Sequence, residues 1–209
     1  MSRKGRGSLR VTGGIYRGRR VACPPGVIRP AMDRMRESLF AILGDIADCA
    51  FLDLFSGSGV VGIEAASRGA APVVLVESDR IKRRTILSNI AFVESPIDLR
   101  LVPAEKFLKN PGACFDLVYA DPPFRFPGKR GLLEAVDRSG ALAAGGRLII
   151  HVPREEAYDE AVGSLSLEDL RDYGGSRLLF YRSPRSRRPP RSRRSPRSRR
   201  PPSVRGDDV

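Results

Sequence analysis

The sequence predicts an α/β protein built on a doubly wound, mostly parallel β-sheet. From residue 51 onward, apolar runs alternate with segments of helix length, and the runs read FLDLF, VVLVE, LRLV, FDLVYA and RLIIHV. This alternation is typical of consecutive βαβ units, in which helices cover both faces of a parallel sheet. A chain of 209 residues is long enough for one such domain with a full core and short arms.

Other elements flank these units. Residues 8–23, SLRVTGGIYRGRRVAC, place β-prone runs around glycines and predict an arginine-bearing hairpin. Residues 29–43, RPAMDRMRESLFAIL, predict a helix, because proline suits a first turn and apolar residues then recur at helical spacing. Strands are also expected near residues 164–170 and 177–181, the second as a possible antiparallel addition to the sheet.

Charge is distributed unevenly along the chain. The net charge is +13, and residues 1–36 carry ten Arg or Lys against one acid, while residues 182–209 carry eleven Arg against two acids. The intervening residues 37–181 are net acidic, at −5. Basic arms around an acidic core are expected when the arms hold a polyanion beside a site of different chemistry. Nucleic acid is therefore the expected partner.

The segment after residue 182 has low complexity. SPRSRRPP at residues 183–190 recurs at 195–202, and such a composition cannot bury surface, so we expect disorder. This tail is interpreted either as a solvated extension that adds non-specific affinity or as a specific contributor to binding. The expected organisation is a basic arm with a hairpin over 1–28, a main domain over 29–182 and a tail over 183–209.

The composition argues against several classes of protein. Cys23, Cys49 and Cys114 are odd in number and far apart, which indicates free thiols. His151 is the only histidine, so a metal site is not expected, and we interpret this residue as structural, near a strand end. No apolar run approaches the roughly 18 residues needed to cross a membrane, and the first residues lack an apolar signal core. A cytoplasmic, metal-free protein is expected.

The first candidate site motif is FLDLFSGSGVVGIE, residues 51–64. Here a strand runs into a G-x-G-x-x-G turn that opens a helix, and Glu77 ends the next strand, where a carboxylate can bind ribose hydroxyls. A dinucleotide loop usually follows an apolar strand, whereas Asp53 stands four residues before Gly57 and Ser56 precedes the turn. Negative charge disfavours a pyrophosphate and favours a ligand with ammonium and sulfonium groups. S-adenosylmethionine is therefore the expected cofactor.

The second motif is DPPF, residues 121–124, at the end of the strand FDLVYA. Two prolines stop the strand and hold the chain rigid, which could be no more than a stiff turn. Because ligands of doubly wound sheets bind at the carboxyl ends of strands, this motif should converge with the glycine loop. Asp121 and the carbonyl of Pro122 could then accept hydrogen bonds from a nucleobase amine, while Phe124 stacks on the base.

Four motifs occur in order along the chain: GGIYRGRR at 13–20, RPAMDRMRESLF at 29–40, DLFSGSGVVGIEAASRGA at 53–70 and DPPF at 121–124. With them, residues 9–181 resemble the bacterial guanine-N2 methyltransferases of 16S ribosomal RNA. The resemblance implies a class I methyltransferase fold, with a Rossmann-like seven-stranded sheet and a small N-terminal β-hairpin, and it implies S-adenosylmethionine as cofactor. The implied substrate is 16S rRNA or an assembling small ribosomal subunit. A monomer is expected.

The matched positions imply roles for individual residues. The methionine end of the cofactor is implied to contact Asp53, Ser56, Gly57 and Gly59. The ribose and adenine are implied to contact Glu77, Ser78, Ala104 and Glu105. The guanine is implied to be held by the catalytic group Asp121, Pro122, Pro123 and Phe124. RNA contacts are implied for Arg10, Arg17, Arg19, Arg20, Arg29 and Arg36.

Some assignments stay open at this point. Arg29, Asp33 and Arg36 could order the rim of the site, contact RNA or form ion pairs at a helix end. Pro103 stands where the family usually has Asp or Asn to meet the adenine amine, so Ala104 and Glu105 must replace that contact or affinity falls. DPPF alone also suits an adenine-N6 methyltransferase of DNA, and Pro103 would suit a non-catalytic RNA-binding assembly factor.

Overall fold

The computed structural model of the chain describes residues 8–23 and 31–185, with side chains from residue 33 in the second range. Ten strands and five helices lie within these ranges. The strands are β1 Ser8–Arg10, β2 Arg20–Ala22, β3 Phe51–Leu54, β4 Val73–Val76, β5 Ile97–Arg100, β6 Phe115–Ala120, β7 Leu142–Pro153, β8 Ala161–Val162, β9 Leu165–Tyr173 and β10 Ser176–Arg182. The helices are α1 Ala31–Leu43, α2 Val60–Ser67, α3 Arg83–Ile90, α4 Ala104–Leu108 and α5 Lys129–Ser139.

Eight strands form the main sheet in the order β5-β4-β3-β6-β7-β10-β9-β8. The first five are parallel, and β10, β9 and β8 extend the sheet with antiparallel pairings. The predicted doubly wound α/β class is confirmed, but the prediction of seven strands is wrong by one. The additional strand is β8, whose two residues pair with the start of β9. So short a strand carries no recognisable alternation of its own.

Helices pack on both faces of the sheet, as a parallel sheet buried on both sides requires. On one face, α4 and α5 bury Phe107, Leu132 and Val136 against the central strands. On the other face, α1 and α3 contribute Phe40 and Ile86 to a second core. Because strand order reverses between β3 and β6, the carboxyl ends of these two strands lie beside a crevice at the switch point.

The predicted N-terminal hairpin is present. Strands β1 and β2 pair in an antiparallel register, and the hairpin buries Leu9, Val11 and Val21 against α2. Its turn docks closely on the end of α2, since the amide of Ile15 donates to the carbonyl of Ser67 at 2.8 Å. Gly14 has φ 75, and a Cβ there would lie 1.9 Å from the same carbonyl oxygen. The turn therefore requires glycine at this position.

A buried carboxylate connects this hairpin to two helices. Glu64 of α2 is fully buried and accepts hydrogen bonds from Thr12 of the hairpin turn. It also pairs with Arg36 of α1 at 2.7 Å and with Arg68 at 3.0 Å. The Arg36 guanidinium continues the network to the carbonyl of Arg10 at 2.5 Å. The hairpin, α1 and α2 are thus joined around one negative charge.

The structure describes the C-terminal end of the predicted main domain but not its N-terminal boundary. Strand β10 ends at Arg182, the expected end of the main domain, and Ser183 donates a hydrogen bond to the carbonyl of Gly146. The expected boundary at residues 28–29, Arg29 itself and residues 186–209 of the tail lie outside the described residues.

Replacing Glu64 with alanine should destabilise the protein by about 3–5 kcal/mol, because the buried guanidinium of Arg36 then keeps only the partly exposed Asp33 as its counter-charge. Chemical denaturation followed by circular dichroism measures this change. Glu134→Ala is the matched control, since Glu134 pairs with Arg130 and Arg138 on the exposed surface of α5 and such pairs contribute about 0–1 kcal/mol. If the two variants lost the same free energy of unfolding, the buried network around Glu64 would contribute no more to stability than a surface ion pair.

Candidate active site

A cavity of about 1290 Å³ opens at the carboxyl ends of the parallel strands. Its walls come from the glycine loop after β3, from the end of β4 and from the turn after β6. These are the segments that carry the predicted site residues. The predicted site residues that line it are Gly57, Glu77, Ser78, Asp121, Pro122, Pro123 and Phe124. The two motifs therefore converge, as expected for a switch point.

The glycine loop reverses the chain sharply between β3 and α2. Phe55, Gly57 and Gly59 have φ values of 64, 58 and 79, all in the left-handed region that favours glycine. The carbonyl of Ser56 accepts the amide of Gly59 at 2.7 Å, which closes the turn. The Oγ atom of Ser56 is buried and has no hydrogen-bond partner within the described part of the chain. A buried hydroxyl of this kind is suited to a ligand at the loop.

Glu77 fixes the loop to the neighbouring strand. Its side chain is only 4% exposed and accepts hydrogen bonds from the amides of Gly57 and Asp79, both at 2.9 Å. Lys82 pairs with the same carboxylate at 3.1 Å. The carboxylate is therefore held at the cavity wall by three donors. Its position agrees with the predicted role toward a ribose, which stays a prediction.

Asp53 lies behind the glycine loop and does not itself line the cavity. It is buried in β3 and accepts the amide of Gly62 in α2 at 3.1 Å. Burial raises the pKa of Asp53 well above its usual range, and the nearby carboxylates of Asp121 and Glu77 raise it further, while the Gly62 hydrogen bond lowers it. Asp53 therefore lies between β3 and α2, behind the glycine loop, and not at the surface of the cavity.

Asp121 stands at the centre of the second motif. Its amide donates to the carbonyl of Leu54 at 3.2 Å, which ties the end of β6 to β3. One carboxylate oxygen, Oδ1, lies 2.8 Å from Nδ1 of His151 on the neighbouring strand β7. The rings of Phe124 and His151 meet edge to face, with centroids 5.3 Å apart. The interpretation of His151 as a purely structural residue missed these contacts with the motif.

Lys129 holds the chain that follows DPPF. Its ammonium group, in the first turn of α5, is buried and donates to the carbonyls of Phe124 and Phe126 at 2.8 and 3.0 Å. It also pairs with Glu156 at 3.0 Å. The ring of Phe126 packs edge to face on Phe55 of the glycine loop, with centroids 5.4 Å apart. The segment that follows DPPF is therefore packed against the glycine loop.

Sequence reasoning also missed the outer wall of the cavity. Arg34 and Met35 of α1 line one side, and the turn between β9 and β10, residues 173–176, lines another. The hydroxyl groups of Ser38 and Tyr173 lie 2.6 Å apart and join these two elements. The glycine pair at 174–175 indicated the turn, but no pattern indicated that the turn would reach α1.

Two groups of predicted residues lie outside the cavity. Ala104 and Glu105 begin α4 and are not among the described residues that line the cavity, so their contact with an adenine ring stays a prediction. Pro103 supplies the carbonyl that accepts the first amides of that helix. The exposed arginines of the hairpin lie outside the cavity and project to the surface. They are Arg10, Arg17, Arg19 and Arg20.

The structure corrects the assignment of Arg36 as an RNA contact. Its side chain is 3% exposed and is engaged by Glu64, by Asp33 at 3.1 Å and by the carbonyl of Arg10. A guanidinium buried in this way is not available to a phosphate group. Helical spacing alone could not show this, because the partner Glu64 is distant in sequence.

Within residues 8–23 and 31–185, no three or more His, Cys, Asp or Glu side chains form a group that could hold a metal ion. Among the helices of that part of the chain, none has both the length and the apolar character needed to cross a membrane.

The family described as conserved hypothetical protein 95 matches residues 9–182 of this chain. Ribosomal RNA small subunit methyltransferase D of Escherichia coli (strain K12) is 43% identical over 135 residues, which is 62% of this chain and 65% of the relative, slightly less than two thirds of its length. YlbH of Bacillus subtilis (strain 168) is 30% identical over 181 residues, 83% of this chain and 98% of the relative. The solved structure of YhhF from Escherichia coli has a TM-score of 0.76 and 31% identity, covering 86% of this chain and 100% of that chain.

Gly62 should tolerate no larger residue, because a Cβ there would lie 2.2 Å from Cδ2 of the buried Leu75. Gly62→Ala is expected to destabilise the protein by about 1–3 kcal/mol, as overpacked cores do. The control is Gly131→Ala in α5, where nothing lies within 4 Å of the added atom and alanine should stabilise the helix by up to about 1 kcal/mol. Thermal denaturation of both variants would refute the packing argument if the two changes had the same sign.

Proposed function

The chain belongs to the family described as conserved hypothetical protein 95, and we propose that it transfers a methyl group from S-adenosylmethionine to the N2 amine of one guanine in 16S rRNA. The observation that carries the proposal is the convergence of Asp121-Pro-Pro-Phe with the glycine loop and Glu77 in one cavity. A nucleobase-amine motif and a nucleoside-cofactor motif then face the same space. The name of the Escherichia coli relative supports small-subunit rRNA as the substrate.

The residues present fit this cofactor. Gly57 brings backbone to the cavity wall, Glu77 offers a fixed carboxylate to ribose hydroxyls, and the buried hydroxyl of Ser56 in the same loop has no partner among the described residues. When bound, S-adenosylmethionine supplies an electrophilic methyl group on a sulfonium. The carboxylates of Glu77 and Asp79 line this cavity and make it favourable for a cation.

The chemical task of the second motif is to make a weak nucleophile reactive. The lone pair of the guanine amine is conjugated with the ring, so the amine attacks poorly unless its two N–H bonds are held by acceptors. Asp121 and the carbonyl of Pro122 would accept those bonds and turn the lone pair toward the methyl group. The amine loses one proton as it gains the methyl group, and the Asp121 carboxylate is placed to receive it.

The hydrogen bond from His151 orients the Asp121 carboxylate. Because an ionised carboxylate only accepts hydrogen bonds, Nδ1 of His151 must carry the proton that it shares with Oδ1. Oδ2 is then the oxygen available to the substrate amine. Lys129 fixes the carbonyls of Phe124 and Phe126, so the chain that follows the two acceptors is held before any substrate binds.

Guanine must leave its stack to enter this cavity. Unstacking costs a few kcal/mol and is least costly in loops, so we propose a loop nucleotide as the target. The exposed arginines of the hairpin would bind the flanking phosphates. Within this proposal, the protein acts on naked rRNA or on a small-subunit assembly intermediate.

The test is to incubate unmodified small-subunit RNA, and separately DNA, with the protein and isotopically labelled S-adenosylmethionine, and to identify the labelled nucleoside by mass spectrometry. N2-methylguanosine from the RNA is expected. N6-methyladenosine from the DNA would instead support an adenine methyltransferase. No calorimetrically detectable cofactor binding would support a non-catalytic RNA-binding protein. Asp121→Ala should lower transfer at least about 100-fold and leave cofactor affinity nearly unchanged, since removal of one preorganised polar group typically costs 10²–10³.

The role of His151 is tested by two substitutions of different chemistry. His151→Asn keeps an N–H donor beside Asp121 and should retain much of the turnover rate, whereas His151→Leu removes the donor and should lower kcat about 10-fold or more, as loss of a hydrogen bond to a charged group costs about 1.5–3 kcal/mol. KM for S-adenosylmethionine should change little in either variant. If both variants lost the same activity, or if only KM rose, orientation of Asp121 by His151 would be excluded.

A further inference from the structure

The exposed arginines of the described residues differ in whether they have a carboxylate partner. On α5 and on the antiparallel side of the sheet, arginines have carboxylate partners: the exposed Arg138 and the half-buried Arg147 and Arg182 lie 2.7–3.5 Å from Glu134 or Glu168. A second group lies in the segment Arg80–Arg84, a 3₁₀ turn that leads into α3. Arg80, Arg83 and Arg84 are exposed there, and none has an ion-pair partner among residues 8–23 and 31–185.

The segment Arg80–Arg84 is attached to the rim of the cavity. Asp79, which precedes it, lines the cavity and accepts the amide of Ile81 at 2.9 Å, which closes the turn. Lys82 lines the cavity too and pairs with Glu77. The three unpaired arginines thus flank Lys82, whose side chain forms part of the cavity wall.

Helix α3 connects this segment to the N-terminal hairpin. At its far end, the side-chain amide of Asn89 exchanges two hydrogen bonds, both 2.9 Å, with the backbone of Ala22 in β2. Just beyond the helix, the guanidinium of Arg19 lies 5.2 Å from the centre of the Phe92 ring. With eight residues, α3 spans about 12 Å. The unpaired arginines therefore stand at one end of α3, and the hairpin contacts its other end.

We propose that Arg80, Arg83 and Arg84 bind the phosphodiester groups of the RNA strand that enters the cavity, and that α3 links this contact to the hairpin. Unpaired arginines are poised for phosphate because binding breaks no existing ion pair, and guanidinium binds phosphate oxygens in a bidentate manner. Ile81, which is 88% exposed between these arginines, offers an apolar contact to a neighbouring base. The identification of the strand as RNA rests on the proposed function.

The experiment measures the salt dependence of binding of a single-stranded small-subunit RNA fragment to the full chain. Each phosphate contact on a single strand contributes about 0.7 to the slope of log K against log salt concentration. Arg80→Gln, Arg83→Gln and Arg84→Gln in one variant should therefore make the slope shallower by about 2. The matched control combines Arg138→Gln, Arg147→Gln and Arg182→Gln, which removes the same charge from paired positions and should leave the slope nearly unchanged.

The outcomes separate this surface from the catalytic proposal. A slope equal to that of the wild-type protein would overturn the phosphate contacts and leave an acidic protein as the alternative partner for this segment. Equal flattening in the control variant would also overturn them, because net charge alone would then explain the effect. Calorimetry of S-adenosylmethionine binding and nucleoside analysis of the product test the proposed function independently, since neither depends on the slope.

Discussion

A carboxylate buried away from water must be compensated, and in this fold the compensation of Glu64 determines how the N-terminal part is assembled. Its four partnering contacts come from the hairpin turn, from α1 and from its own helix α2. Helix α2 is also the helix that the glycine loop opens. A single buried charge therefore fixes the basic hairpin relative to the loop that is proposed to bind the cofactor, and the two cannot move separately without exposing an unpaired charge.

On the side of the cavity that is proposed to be catalytic, the buried charge that organises the chain is a cation. Lys129 compensates the carbonyls that a proline-rich turn leaves without ladder partners, and Glu156 balances its charge. The turn after β6 thereby gains a defined shape although it belongs to no regular element. Asp121 is held independently, through its backbone to Leu54 and through its side chain to His151. Each reactive group is positioned by contacts that do not involve a substrate.

Much of the architecture could be predicted because it depends on local pattern. Apolar runs such as VVLV are short, rich in β-branched residues and separated by helix-length segments, which predicts strands. The convergence of Gly57 with Asp121 follows from the rule that parallel strands end at one edge of the sheet. What could not be predicted depends on pairs distant in the chain. The resemblance implied an RNA contact for Arg36, and its burial against Glu64 could not be predicted because the two residues are 28 positions apart. The contact of His151 with Asp121 joins strands whose register no sequence pattern specifies. The contact between Tyr173 and Ser38 could not be predicted for the same reason, since 135 positions separate the two residues.

Phe55 in the glycine loop has an unfavourable backbone conformation that the fold maintains without a ligand. A bulky residue with φ 64 occupies a region that is sterically unfavourable by about 1–3 kcal/mol, and the packing of its ring on Phe126 holds it there. This unfavourable free energy lowers the stability of the folded chain. It does not lower the affinity for a ligand that binds afterwards. A ligand that enters the loop consequently has little conformational entropy to remove from it, and its binding free energy is retained for discrimination between substrates.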